Sequence, residues 1–200
     1  AEVEREGGDV RFFAPDSLWN YEAGTKGTTA GGALSYSASY FLIKWDDMQT
    51  SRSFDCGFGF RENVGKATSN GLELELHAAV TENLVLGFGG AYINSELDED
   101  VPNLNAEEGD QVPYVPEFSF NTSADYSFPL TDSLQGILWG NVQYIGDRHT
   151  EFNHDPTTNY RKMDAYTVAN ARFGVQWDSY DVSFYINNVF DDGGVVRALR

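Results

Sequence analysis

Gly71-Leu72-Glu73-Leu74-Glu75-Leu76-His77-Ala78-Ala79-Val80 is the stretch that decides how this chain folds. Leu72, Leu74, Leu76, Ala78 and Val80 alternate with Glu73, Glu75 and His77. That period of two puts the apolar side chains on one face of an extended strand and the charged ones on the other. In a soluble sandwich the apolar face meets a second sheet. In an outer-membrane barrel it meets lipid, and the charged face lines a wet interior.

Working outward, the same alternation recurs. Leu34, Tyr36, Ala38, Tyr40 and Leu42 are set against Ser35, Ser37 and Ser39. Phe118, Phe120, Thr122, Ala124, Tyr126 and Phe128 are set against Ser119, Asn121, Ser123, Asp125 and Ser127. Strands are expected over about residues 18–28, 34–50, 60–80, 84–97, 116–128, 134–149, 162–177 and 181–196, with residues 1–16 read as a loop. The connections alternate short (29–33, 81–83, 129–133, 178–180) and long (50–59, 95–115, 150–161). This asymmetry marks an up-and-down barrel with tight periplasmic turns and larger outer loops. Strands of ~16 residues at ~3.3 Å rise and ~40° tilt would stand ~40 Å high against an apolar band of ~25 Å, so they would project above the membrane. Aromatic residues such as Trp19, Tyr40, Trp45, Tyr92, Tyr144, Trp177 and Tyr180 fall near strand ends, where interfacial girdles sit.

Bulk properties exclude several classes. A formal net charge of -18 over 200 residues, without Lys/Arg clusters, argues against nucleic acid. The mean hydropathy of -0.41 excludes a transmembrane helix but not a barrel, because alternation averages hydropathy towards zero. One cysteine, Cys56, rules out an intrachain disulfide framework. No signal peptide precedes the first residues, so the chain is expected to be either not exported or not a complete precursor.

No enzyme constellation emerges. Glu73, Glu75 and His77 share a strand face and read as water-facing polar side chains rather than metal ligands. His149 and His154, beside Arg148, lack partners at zinc spacing; Met48 and Met163 are too few for a copper site. The acidic run from Glu96 to Asp110 lacks the glycine and terminal Glu of the calcium-loop motif and reads as a solvated loop. Gly87, Gly89 and Gly90 follow no phosphate-loop pattern and read as easing strand packing. Asn121-Thr122-Ser123 matches a glycosylation sequon inside an expected strand.

A further set of residues resembles the C-terminal part of the barrel of TonB-dependent outer-membrane receptors. The matching features are Tyr21-Glu22-x-Gly24-x-Lys26, Trp45-Asp46-Asp47-Met48-Gln49 and Asn63-x-Gly65-x-Ala67-x-x-x-Gly71-x-Glu73-x-Glu75. Pro113 and Pro116 opening a strand, Asp125-Tyr126, and Asn188-Val189-Phe190-Asp191 follow. They arrive in the family's order from about Asp16 onward. The resemblance implies an all-β, antiparallel, up-and-down transmembrane barrel segment of about eight strands, part of a 22-stranded barrel. Nothing here resembles the family's N-terminal plug or its TonB-engaging box. Arg200 replaces the usual terminal aromatic, and Gly194 stands where an aromatic often follows, so the chain reads as a fragment.

The implied role is uptake of a scarce ligand, most often a ferric siderophore, across the outer membrane of a Gram-negative bacterium. TonB drives it through the missing plug and box. The implied partners are the TonB complex, the siderophore or other small ligand, and outer-membrane lipid, with no cofactor. Ligand contacts are expected from Asp98, Asp100, Arg148, His149 and Tyr160 in outer loops, and from Arg172 and Glu75 lining the lumen. The alternatives are a small passive porin or adhesin built from this segment alone, and a secreted soluble β-sandwich binding module.

Overall fold

A computed structural model describes residues 12–53, 58–152 and 161–194. Eight strands form one antiparallel sheet: β1 (Ser17–Thr29), β2 (Leu34–Asp46), β5 (Ala67–Thr81), β6 (Leu84–Leu97), β7 (Phe118–Pro129), β8 (Gln135–Ile145), β11 (Tyr166–Trp177) and β12 (Tyr180–Ile186). Each pairs with its predecessor in that order, and β1 and β12 do not pair with each other. Two small hairpins, β3 (Gln49–Ser53) with β4 (Gly59–Asn63) and β9 (Arg148–His149) with β10 (Lys162–Met163), border the loops expected at 50–59 and 150–161 and take most of their residues from the ends of strands expected to be continuous over 34–50, 60–80, 134–149 and 162–177.

The second and third expected strands are each interrupted. Asp47 (φ 55°) ends β2 and Gly65 (φ 42°) separates β4 from β5, both in the left-handed region. The interruptions face each other: Met48 N–H donates to Gly65 O at 3.2 Å, and Val64 N–H to Met48 O at 2.6 Å. The hairpin β3–β4 therefore leaves the main sheet as a separate ribbon. The last strand ends at Ile186, short of the expected 196. Beyond it Asn188 (φ 51°) turns the chain; its N–H bonds Asn170 Oδ1 at 3.0 Å, and Asp192 Oδ2 accepts from Thr167 N–H at 2.8 Å.

The register aligns the alternation across strands. Tyr40, Leu72, Tyr92 and Phe118 stand opposite one another in one row and are 44–58% exposed. Nearer the short turns Tyr126, Leu138, Phe173 and Phe184 form another row of the same face, 40–71% exposed. Among the described residues no second layer covers these rows. A sandwich would bury them, and leaving so large an apolar face to water is unfavourable at ~25 cal/mol per Å². Lipid meets the same face at no such cost. From Leu72 to Val80 the apolar stretch rises ~26 Å along the strand, or ~20 Å at a ~40° tilt, close to the ~25 Å band of outer-membrane barrels. Aromatic pairs mark both ends of the band: Phe118–Phe120 (5.8 Å) and Phe120–Tyr144 (5.4 Å) towards the long loops, and Tyr126–Phe128 (5.4 Å) and Trp177–Tyr180 (5.6 Å) towards the short turns.

The buried core is instead small and sits at the long-loop end. Met48, Val64, Ala67, Leu97, Val101 and Ala106 form it, with Trp45, Leu104, Val112 and Phe152 packed around. Trp45, Ala67 and Leu97 are in register on the face that carries Glu73 and Glu75. The loops therefore fold towards the polar side of the sheet.

Candidate functional site: a polar trough beneath an outer cap

Four adjacent strands build a trough on the polar face. Glu75 of β5, Gly89 of β6, Asn121 of β7 and Gln143 of β8 lie in one register row, and His77, Gly87, Ser123 and Asn141 in the next. All of these but Asn141, together with Glu73, Ala91 and Ser119, line a depression of about 310 Å³. The two glycines create it. A β-carbon on Gly87 would stand 2.6 Å from Ser123 Oγ, and one on Gly89 2.9 Å from Asn121 Nδ2, so the β7 side chains lie across bare β6 backbone. His77 Nε2 is 3.1 Å from Glu75 Oε1, and Ser39 Oγ donates to Glu73 Oε2 at 3.4 Å. Carboxylates, amides and hydroxyls here can exchange hydrogen bonds with a hydrated solute. Among the described residues no group of three or more His, Cys, Asp or Glu side chains is placed to hold a metal ion.

Arg172 lies on the same face towards the short turns. Its Nε and Nη2 donate to Ser183 Oγ at 3.0 and 2.7 Å, and Nη2 approaches Asp181 Oδ1 at 3.2 Å; Gln176 Nε2 donates to Asp181 Oδ2 at 2.8 Å. The guanidinium is held in the wall.

At the other end the long loops carry four more of the expected contact residues. Asp98 Oδ2 accepts from Thr68 Oγ1 at 2.7 Å, and Asp100 Oδ1 accepts from Glu108 N–H at 2.9 Å. Arg148 is 5% exposed, its Nη1 donating to Gly146 O at 3.5 Å and its guanidinium carbon 5.6 Å from the centre of the Tyr166 ring. His149 Nδ1 lies 3.3 Å from Gln111 Oε1, and Gln111 Nε2 donates to Val115 O. Ion pairs flank the cap. Asp46 beside Lys66, at 3.0 Å, raises the lysine's pKa above its ordinary value, and the Lys162 hydrogen bond at 2.8 Å holds the Asp147 carboxyl below the usual range.

The expected contact residues thus do not converge. Asp98, Asp100, Arg148 and His149 belong to the cap, Arg172 sits near the opposite end, and Glu75 alone lines the trough. Tyr160, together with Cys56 and His154, lies outside the described residues. The trough residues Gly87, Gly89, Asn121, Ser123 and Gln143 were missed as a group. The signal was Gly87-x-Gly89, a two-residue repeat on the polar face of one strand, which acquires meaning only beside the neighbouring rows.

Three of the motif residues quoted above hold the local structure. Asn63 donates from Nδ2 to Asp47 O at 2.8 Å, Ala67 is 3% exposed in the cap core, and Gly71 leaves room for the Phe41 ring, which lies 2.8 Å from where its β-carbon would be. Gly194, the departure from the expected aromatic, lies against the face of the Tyr166 ring.

A family model described as TonB dependent receptor-like, beta-barrel, matches residues 6–189. The chain is 27% identical over 188 residues to the metal-pseudopaline receptor CntO of Pseudomonas aeruginosa, covering 90% of this chain and 24% of that receptor. It is 28% identical over 192 residues to the pesticin receptor of Yersinia enterocolitica, covering 94% and 26%. It therefore spans about a quarter of the length of these curated relatives. Among solved structures it superposes on the ferric yersiniabactin uptake receptor FyuA from Yersinia pestis with a TM-score of 0.69 at 24% identity, over 88% of this chain and 25% of that one. On the ferripyoverdine receptor of the outer membrane of Pseudomonas aeruginosa the TM-score is 0.62 at 20% identity, over 88% and 24%.

Proposed function

Because the chain belongs to the TonB-dependent receptor-like β-barrel family, we propose that it supplies wall strands and outer loops to an active-transport receptor. Its place is the outer membrane of a Gram-negative bacterium. The receptor takes up a scarce ligand, most often a ferric siderophore, with energy delivered by TonB through a plug and box outside this segment. Relatives named as metal-chelate and siderophore receptors support this.

The observation that carries the reading is the two-faced single sheet: uncovered apolar rows outward and the glycine-floored polar trough inward. An apolar outer face with a hydrophilic inner face is the arrangement a lipid-embedded conduit for polar solutes requires. A self-contained small barrel would pair β1 with β12, and they are unpaired; a sandwich would bury Leu72 and Phe184, which are 58% and 71% exposed.

In this reading the cap residues Asp98, Asp100, Arg148 and His149, with Tyr160, shape the outer surface that first meets the ligand. Glu75 and Arg172 face it on the way through. The role is transport rather than catalysis. The test is uptake of labelled iron, supplied as catecholate, hydroxamate and carboxylate chelates, by cells carrying the full receptor or lacking its gene. The expected result is gene-dependent uptake of at least one chelate that stops when the proton gradient is collapsed. Uptake of every chelate that is indifferent to both would refute the proposal.

A further inference from the structure

We infer that the outer loops of this segment close over the polar side of the sheet as one mechanical unit, not as separate flaps. Four stretches meet there: residues 12–16, 47–53 with 58–66, 98–117 and 146–152.

The first stretch is held by an amide acting as a surrogate strand. Ala14 N–H donates to Asn63 Oδ1 at 2.7 Å while Asn63 Nδ2 donates back to Ala14 O at 2.9 Å and to Asp47 O at 2.8 Å. Gln49 Nε2 reaches Ala14 O and Asp16 Oδ1, and Trp45 Nε1 donates to Asp16 Oδ2 at 2.8 Å. From Gly65 the connection continues to the third stretch, since Asp98 N–H donates to Lys66 O at 2.9 Å. The third stretch folds back on β6 through Leu97 N–H to Asp110 O and Val112 N–H to Ser95 O. It then joins the fourth, because Tyr114 N–H donates to His149 O at 2.8 Å. Hydrogen bonds thus run without a gap from residue 14 to residue 149.

The apolar contacts follow the same path. Met48 and Val64 come from the second stretch, Val101, Leu104, Ala106 and Val112 from the third, and Phe152 from the fourth. Residues 12–16 add no side chain to this core and join the unit through the hydrogen bonds with Asn63, Gln49 and Trp45; the other three stretches share the core, so opening one of them exposes apolar surface on the others, and local unfolding of such shared cores is cooperative. Ala67 and Leu97 anchor the unit on the strand face that continues down to Gly71 and Glu73. The cap therefore stands over the approach to the trough, and any ligand gating by this segment engages all four stretches together.

Hydrogen exchange of the full-length receptor in bilayers, read by mass spectrometry, tests this without any ligand. Val101→Asp puts a carboxylate into the shared core, and Asn63→Ala releases residues 12–16. Each should speed exchange about tenfold or more at 47–50, 64–66, 97–112 and 149–150 together, while 119–128 in β7 stays as slow as in the wild type. The β7 amides report that the barrel is assembled, and Asn63→Ala serves should Val101→Asp fail to assemble. Acceleration confined to 98–117 in Val101→Asp, or to 12–16 in Asn63→Ala, would show separate flaps and overturn the inference.

Discussion

Val101 occupies the space a side chain on Gly65 would need: its Cγ2 lies 2.7 Å from where a Gly65 β-carbon would stand, and Gly65 is at φ 42°. One loop is thereby seated on the turn of another, and the glycine is required twice, for its backbone and for the vacancy above it.

Gly65→Ala should therefore loosen the cap while sparing the sheet. The left-handed backbone costs about 1–2 kcal/mol for a residue with a β-carbon, and displacing Val101 adds to it. Limited proteolysis of the bilayer-embedded receptor should cut residues 98–117 about 5–30 times faster, at unchanged barrel assembly. An unaltered cleavage rate would contradict the seating.

Glu75 and Leu76 are neighbours in sequence and opposite in environment. Leu76→Arg places a charge on the outward face at the middle of the apolar stretch from Leu72 to Val80 and should destabilise the barrel by about 2–4 kcal/mol in denaturant-titrated folding into lipid vesicles. Glu75→Arg exchanges one water-facing charge for another and should fold almost as the wild type does. Equal costs for the two would place lipid on neither face.

Filling the trough separates passage from capture. In Gly89→Leu the new side chain starts 2.9 Å from Asn121 Nδ2, an overpacking worth about 1–3 kcal/mol that projects into the depression. Cells carrying this receptor should bind labelled ferric chelate at the surface as before and import it more slowly. Import as fast as in the wild type, with the trough filled, would remove the trough from the path.

The Asp147–Lys162 pair closes the β9–β10 hairpin. Lys162 lowers the Asp147 pKa, so the folded carboxyl holds its proton less tightly than the unfolded one. Its stabilisation is complete above the ordinary carboxylate range and disappears as pH falls through the depressed folded value. Both side chains are about half exposed (54% and 50%), which limits the pair to about 0.2–1 kcal/mol. Exchange at Thr150, corrected for intrinsic rates, should be flat from about pH 5 to 8 and rise below about pH 4 in the wild type. Asp147→Asn should show the faster exchange already at pH 7, with no step in acid.

Much of the sheet was legible residue by residue. β6 spans the expected 84–97, and β1, β7 and the cores of β5 and β11 differ from expectation by a few residues at their ends. Strand alternation is a local signal, and each of these strands has one face in lipid and one in water. The interruptions at Asp47 and Gly65 were not legible. Residues 34–50 and 60–80 read as continuous strands because nothing local announces that two left-handed residues will face each other.

What the sequence by itself determined was the eight strands of the main sheet, their faces, the alternation of short and long connections and the family, all carried by patterns a few residues wide or by ordered short motifs. Tertiary structure alone decided that Met48, Val64 and Val101 form a core inside apparently polar loops, that Arg148 is buried, and that Gly87 and Gly89 open a trough beside Asn121 and Ser123. Those relationships join residues from 16 positions apart, Met48 and Val64, to 53, Met48 and Val101. Pairing register and packing create such proximities, and a period of two contains no record of them.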